Sequence, residues 1–157
     1  MKETLRRMQE KRANGDRGFT LIELLVVVVI IGVLVAIAIP LYTNYRKGAA
    51  NKSAQADVRT AITSLEHYYT ENGNTFPGTA GSNTTGTAGA DLTVGTLVTQ
   101  VSSGNQLGYR NNTTSYVVCG WNTDAAKIYV YNSANGGAVK VSANQGTSLT
   151  ACLNAGA

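Results

Sequence analysis

The 157-residue chain has few of the side chains that usually build catalytic centres. It contains two cysteines and a single histidine, His67, and it has no C-x-x-C pair and no H-E-x-x-H helix. It also lacks a G-x-S-x-G nucleophile turn and the glycine-rich loops that bind nucleotide phosphates. Its carboxylates stand singly, with no pair to which acid and base roles can be assigned. These absences argue against an enzyme and against a metal or cofactor site.

Charged and amide side chains are absent from residues 24–41. At about 1.5 Å per residue, a helix of this length is about long enough to cross a hydrocarbon core of ~30 Å. The buried helix of a soluble domain is the alternative, but it would show an apolar stripe, and this run is apolar on every face. The run therefore predicts a transmembrane helix.

Basic residues dominate positions 1–18, with six Lys or Arg against three Asp or Glu. This bias predicts that the start of the chain stays in the cytoplasm and that the remainder is exported. A cleavable secretory signal has a similar plan, but its apolar core is ~7–15 residues long and ends at a small-x-small site. The run here is longer and has no such exit, so we expect the anchor to be retained.

Glu23 lies near the start of this otherwise unbroken apolar run. A carboxylate at the centre of a bilayer costs about 2.5–3.5 kcal/mol on insertion scales, so a sequence that carries one usually has a use for it. A simpler explanation is that Glu23 has no further use and only complements the positive end of the helix dipole in the first turn.

The segment RGFTLIELLVVVVIIGVLVAIAIP, residues 17–40, resembles the N-terminal signature of type IV pilins and their relatives, the class III signal peptide. The resemblance implies that a prepilin peptidase cuts between Gly18 and Phe19 on the cytoplasmic side. It also implies N-methylation of the new amino terminus at Phe19. The apolar helix then stays on the mature protein, in which seven basic and six acidic side chains remain. This near-neutral balance does not support nucleic-acid binding by the mature chain.

The resemblance also gives roles to residues inside the helix. Glu23 would pair with the amine of Phe19 in its own or a neighbouring subunit, in a filament whose core is a bundle of such helices. Gly32 and Pro40 weaken a helix by up to ~1 and about 3 kcal/mol. The resemblance implies that the span between them kinks or partly melts in the filament. The alternative is that transmembrane helices simply tolerate both residue types.

Beyond the membrane exit, apolar residues at three- and four-residue spacing extend the helix to about Asn72. Residues 76–90 read as a surface loop, and residues 91–101 fit either a helix or a strand. Three antiparallel strands are expected over residues 113–121, 126–133 and 137–143, with residues 149–153 as a candidate fourth. The two cysteines, Cys119 and Cys152, both lie in the part that we expect to be exported. An even number of cysteines outside the reducing cytosol predicts a disulfide.

These expectations combine into an α+β, lollipop-like fold, with a long helix packed on a small antiparallel sheet. Its predicted parts are a cleaved leader over residues 1–18, an assembly helix over 19–53 and a globular head over 54–157. The resemblance implies a structural subunit of a type IV pilus, exported to the cell surface from a single-pass membrane precursor. Its implied partners are further copies of itself, the prepilin peptidase, an assembly ATPase and an inner-membrane platform protein.

Two other functions remain open from the sequence. One is a pseudopilin of a secretion or competence system, because HYYTENGNTFPG at residues 67–78 resembles the corresponding region of pseudopilins. A C-terminal disulfide favours a pilin over these proteins, which more often lack it. The other, of a different class, is a membrane-tethered binding domain. Such a domain would stay in the membrane fraction, whereas a pilin would form filaments.

Overall fold

The computed structural model describes residues 19–125, 127–144 and 148–156. The expected leader, including Gly18, lies outside the described residues. The chain divides into two compact units, Met1–Tyr42 and Thr43–Ala157, which we call the N-terminal and C-terminal units.

Helix α1 spans Leu21–Glu71, a length of 51 residues that takes in Pro40. In the N-terminal unit it is apolar and exposed all round, and by length and composition it is able to cross a membrane. Within the C-terminal unit it is amphipathic. The helix ends where the sequence predicts, because Gly73 and Asn74 both adopt positive φ angles, of 64° and 59°. This left-handed geometry is a common way for a helix to end.

The C-terminal unit contains a five-stranded sheet. Its strands run antiparallel in the order β1–β4–β5–β6–β7. They are β1 (Asn83–Thr85), β4 (Asn105–Asn111), β5 (Tyr116–Asn122), β6 (Tyr129–Asn132) and β7 (Lys140–Val141). A separate hairpin is formed by β2 (Leu92–Val94) and β3 (Leu97–Thr99). The short helix α2 spans Leu149–Ala155.

The sheet has one hydrophobic core on each face. Alternate residues of β5 point in opposite directions, so Tyr116 and Val118 join the core with α1, whereas Val117 and Cys119 join the core with α2. The buried side chains that α1 contributes to the first core are Ala54, Val58, Ala61 and Leu65. The second core is smaller and includes Leu149, Cys152 and Leu153 of α2. The expected α+β fold, with a long helix on an antiparallel sheet, is therefore present.

The detailed strand predictions are partly wrong. Strands β6 and β7 lie inside their predicted segments, β5 extends one residue beyond its segment, and residues 91–101 contain a hairpin. Residues 149–153, the candidate fourth strand, are helical instead, because Ser148 accepts a hydrogen bond from the N–H of Ala151 at 3.1 Å and caps α2. Strand β4 was not predicted, and β1 falls in a segment predicted to be a loop.

Candidate functional site

The N-terminus of α1 is closed by a reciprocal pair of hydrogen bonds between Thr20 and Glu23. The N–H of Glu23 donates to Thr20 Oγ1 at 3.3 Å, and the N–H of Thr20 donates to Glu23 Oε2 at 2.9 Å. The Thr20 hydroxyl also donates to Oε2, at 2.8 Å. This arrangement is a capping box, which satisfies two backbone donors that the first turn leaves unpaired. The T-x-x-E spacing signals this box in the sequence, but our sequence analysis considered only the amine of Phe19 and the helix dipole as partners of Glu23.

The apolar segment that follows exposes a surface that water solvates poorly. Large hydrophobic side chains from Phe19 to Tyr45 are between 46% and 82% exposed. Monomeric soluble proteins rarely expose apolar patches of more than a few hundred Å², and larger ones mark membrane or protein contacts. The segment therefore requires lipid or other protein chains around it.

Gly32 and Pro40 lie within this apolar segment. Helix α1 passes through both positions without a break. A Cβ added at Gly32 would meet no other atom within 4 Å, so close packing inside this chain does not require the glycine. The proposed flexibility of this span stays a prediction.

A polar network holds α1 against the sheet in the C-terminal unit. The carboxylate of Asp57, on α1, accepts hydrogen bonds from the N–H and hydroxyl of Ser102, both at 2.8 Å. It also accepts one from Asn105 Nδ2 at 2.6 Å, and Asn105 in turn accepts one from Asn122 Nδ2 at 2.6 Å. Because Asp57 is buried, these donors replace the water that it loses. The network fixes the helix to β4 and β5.

A disulfide joins Cys119 of β5 to Cys152 of α2, with Cα atoms 6.3 Å apart. Both half-cystines are buried in the second core. The expected disulfide is thus present, and it ties the C-terminal helix to the centre of the sheet. In the described ranges, no group of three His, Cys, Asp or Glu side chains is placed to hold a metal ion. His67 Nδ1 lies 3.3 Å from Glu71 Oε2, one turn along α1.

Tyrosines dominate the first core. The hydroxyl of Tyr109 donates to the carbonyl of Pro77 at 3.0 Å, and that of Tyr116 donates to Glu66 Oε1 at 2.7 Å. Burial raises the pKa of the Tyr109 phenol, and the negative field of a neighbouring tyrosinate adds to this. Burial also raises the pKa of Tyr116, with a further contribution from Glu66. Both tyrosines therefore have packing roles.

The N-terminal region matches a family model described as the prokaryotic N-terminal methylation motif, over residues 13–39. The chain is also 43% identical over 92 residues to the type IV major fimbrial protein FimA of Dichelobacter nodosus, in an alignment that covers 57% of each protein. The chain is thus similar to type IV pilins.

Two further similar proteins are also named as a fimbrial protein or a pilin. The fimbrial protein of Moraxella nonliquefaciens is 34% identical over 113 residues, which are 68% of this chain and 64% of that protein. The type IV major pilin protein PilA of Myxococcus xanthus is 39% identical over 65 residues, which are 41% of this chain and 30% of that protein. The chain thus spans less than two thirds of the length of these relatives. Their names favour a pilin over a pseudopilin.

Proposed function

We propose that the mature chain is the repeating structural subunit of a type IV pilus. The observation that carries this proposal is the apolar segment of α1, which is exposed on every face and begins at a capped terminus. Lipid solvates such a helix before assembly, and equivalent helices of other subunits solvate it in a filament. One segment therefore serves both as the membrane anchor of the precursor and as the polymer contact.

The prepilin peptidase is the proposed processing enzyme. It cuts between Gly18 and Phe19, and Phe19 is then N-methylated. The basic bias of residues 1–18 favours a cytoplasmic N-terminus, with the remainder of the chain exported. An assembly ATPase that acts from the cytoplasm and an inner-membrane platform protein are the further proposed partners. The leader over residues 1–18, the assembly helix over 19–53 and the head over 54–157 are the corresponding parts.

Glu23 is the proposed receptor for the amine of Phe19. The capping box uses only one carboxylate oxygen, Oε2, and Oε1 forms no hydrogen bond with the described residues. A carboxylate has about four lone-pair sites, so capping and ion pairing are compatible. An incoming amine would therefore find a carboxylate that the cap has already oriented. Burial in a bundle of helices removes water from the ion pair between the Phe19 amine and Glu23. The pair is then stabilising only where its remaining hydrogen-bonding groups also have partners.

The test is to image cells that express the chain and to label it in surface fibres. Long extracellular fibres that contain the chain at regular density are the expected result. A pseudopilus would stay short and within the envelope, and a membrane-tethered binding domain would remain in the membrane fraction. Retention of all the protein in that fraction, in cells whose assembly machinery exports another pilin, would refute the proposal.

A further inference from the structure

One exposed line along α1 carries charges at heptad spacing. Lys52, Arg59 and Glu66 are all exposed, and each is seven residues from the next. Seven residues are just short of two helical turns, so successive members drift by only ~20° around the axis. They form one line along the helix, which we call the charged seam. Its Lys52 end lies opposite the buried face of α1, and its Glu66 end lies beside that face.

Charge is segregated along this seam. Its first part, with Lys52 and Arg59, is basic, and its last part, with Glu66, is acidic. The carboxylate between Lys52 and Arg59 in sequence, Asp57, lies on the buried face and is hydrogen-bonded inside the unit. The seam is therefore positive toward the apolar segment and negative toward the end of the helix.

Among the described residues, the basic side chains of the seam have no counter-charge. Lys52 and Arg59 form no ion pair or side-chain hydrogen bond with the residues that the structure describes. By contrast, the nearby Arg46 pairs with Asp124 at 2.8 Å. Glu66 accepts the Tyr116 hydroxyl through Oε1 and has lone pairs left for a cation. The seam thus presents two basic side chains without a partner among the described residues and one carboxylate with lone pairs to spare.

We infer that the charged seam is a contact surface for a second copy of this chain, and that it sets the axial offset between neighbouring subunits. This inference rests on the proposed function, because insertion of the apolar segment into one membrane makes neighbouring helices parallel. Parallel copies without an offset would place basic beside basic and acidic beside acidic. An offset of seven residues, about 10 Å, brings Arg59 of one copy level with Glu66 of the next. An offset of fourteen residues, about 20 Å, brings Lys52 of one copy level with Glu66 of another.

The test exchanges the charges of the seam in the full-length protein, expressed in cells that assemble it. Arg59→Glu places two carboxylates at the contact, and the fraction of subunits recovered in sheared filaments is expected to fall on the order of tenfold. The swap Arg59→Glu with Glu66→Arg recreates the pair between copies and is expected to restore most of the filaments. Lys140→Glu, the same charge change on β7, is the matched control and is expected to leave the yield unchanged.

A second control covers the internal role of Glu66. Tyr116→Phe removes the hydrogen bond between the hydroxyl and Glu66 but keeps every charge, so filament yield should remain at the wild-type level. Thermal unfolding of each variant verifies that the C-terminal unit is folded. Normal filaments from Arg59→Glu would overturn the inference and leave the proposed function intact. Failure of the folded swap variant to recover would also overturn it, and is the result expected if Arg59 instead binds anionic lipid.

Discussion

A Cβ placed on Gly120 of β5 would lie 2.5 Å from Cγ2 of Val58 on α1. The same Cβ would be 2.9 Å from Leu107 Cδ2 and 3.4 Å from the backbone oxygen of Ala54. Val58 is β-branched and stiff at χ1, and the backbone of α1 is held by the Asp57 network, so neither neighbour moves easily. The helix approaches the sheet this closely only because the central strand lacks a side chain at this position.

Gly120→Ala is therefore expected to destabilise the C-terminal unit by about 1–3 kcal/mol through overpacking. Gly48→Ala is the matched control, because a Cβ at Gly48 meets nothing within 4 Å. In the helix interior this second change should stabilise by up to about 1 kcal/mol. Denaturant unfolding of both variants in detergent gives the two free energies, and equal effects would contradict the close packing at β5.

Processing at Gly18 predicts a mature chain that begins with N-methylated Phe19. Mass spectrometry of protein from cells should show this terminus, and Gly18→Val should leave the precursor uncut. A mature terminus after Pro40 would contradict the whole assignment, because cleavage there would remove the apolar segment.

Two substitutions separate the capping and ion-pairing roles of Glu23. Glu23→Gln keeps an oxygen that accepts from the N–H of Thr20 but removes the charge, whereas Glu23→Val removes both. If the amine of Phe19 needs a carboxylate, both variants should be cleaved and inserted yet make few or short fibres. Fibre counts by electron microscopy decide the matter: wild-type numbers from Glu23→Gln would leave Glu23 with the cap as its only role.

The disulfide predicts a large loss of stability when it is removed. Replacing both half-cystines, as in Cys119→Ala with Cys152→Ala, should lower the free energy of unfolding by about 4 kcal/mol in the loop-entropy account. The double substitution leaves no lone thiol or buried hydroxyl. Denaturant unfolding measures the change. Alkylation of the unreduced, denatured wild-type protein should label neither cysteine, and double labelling would disprove the bond.

The buried tyrosines predict a loss of stability at alkaline pH. Because the folded state raises the pKa of Tyr109 and Tyr116, both stay protonated there after the unfolded chain has begun to ionise. Stability is complete below pH ~10, the ordinary tyrosine pKa, and falls as pH rises further, by up to about 1.4 kcal/mol per pH unit for each group. Unfolding free energies measured across this range should show that slope, and Tyr116→Phe should make it shallower.

The sequence predicts the parts of the structure that follow simple periodicity. Residues 24–41 are apolar on all sides and α1 continues with three- and four-residue spacing, so its course and its end near Gly73 are predictable. Strand β4, with the sequence NQLGYRN, is not, because Asn105 and Asn111 occupy buried positions where a strand normally has apolar residues. Their amides are satisfied by partners distant in sequence, on α1 and in the loop after it. No local pattern contains those partners.

Helix α2 is hard to predict from the sequence for a different reason. Its sequence, LTACLNA, is short and apolar, and a segment of this kind fits a strand or a helix. The cap at Ser148 and the disulfide to β5 select the helix. At the candidate site, each residue of the pilin signature can be identified from the sequence alone. The T-x-x-E spacing also signals the capping box of Thr20 and Glu23, but the sequence does not show which charges of the seam lack a partner in the folded chain.

The edge strands of the five-stranded sheet affect whether separate molecules can pair through their backbones. Strand β1 has three residues and β7 has two, one of them the lysine Lys140. Short edges with charged side chains are poor templates for joining sheets of separate molecules into a continuous ladder. In the proposed filament, densely arrayed subunits are therefore protected from fusing through their backbones in the manner of amyloid. Contacts made by side chains along α1 would instead hold that filament together, and such contacts can be broken one subunit at a time, so the proposed polymer would be reversible.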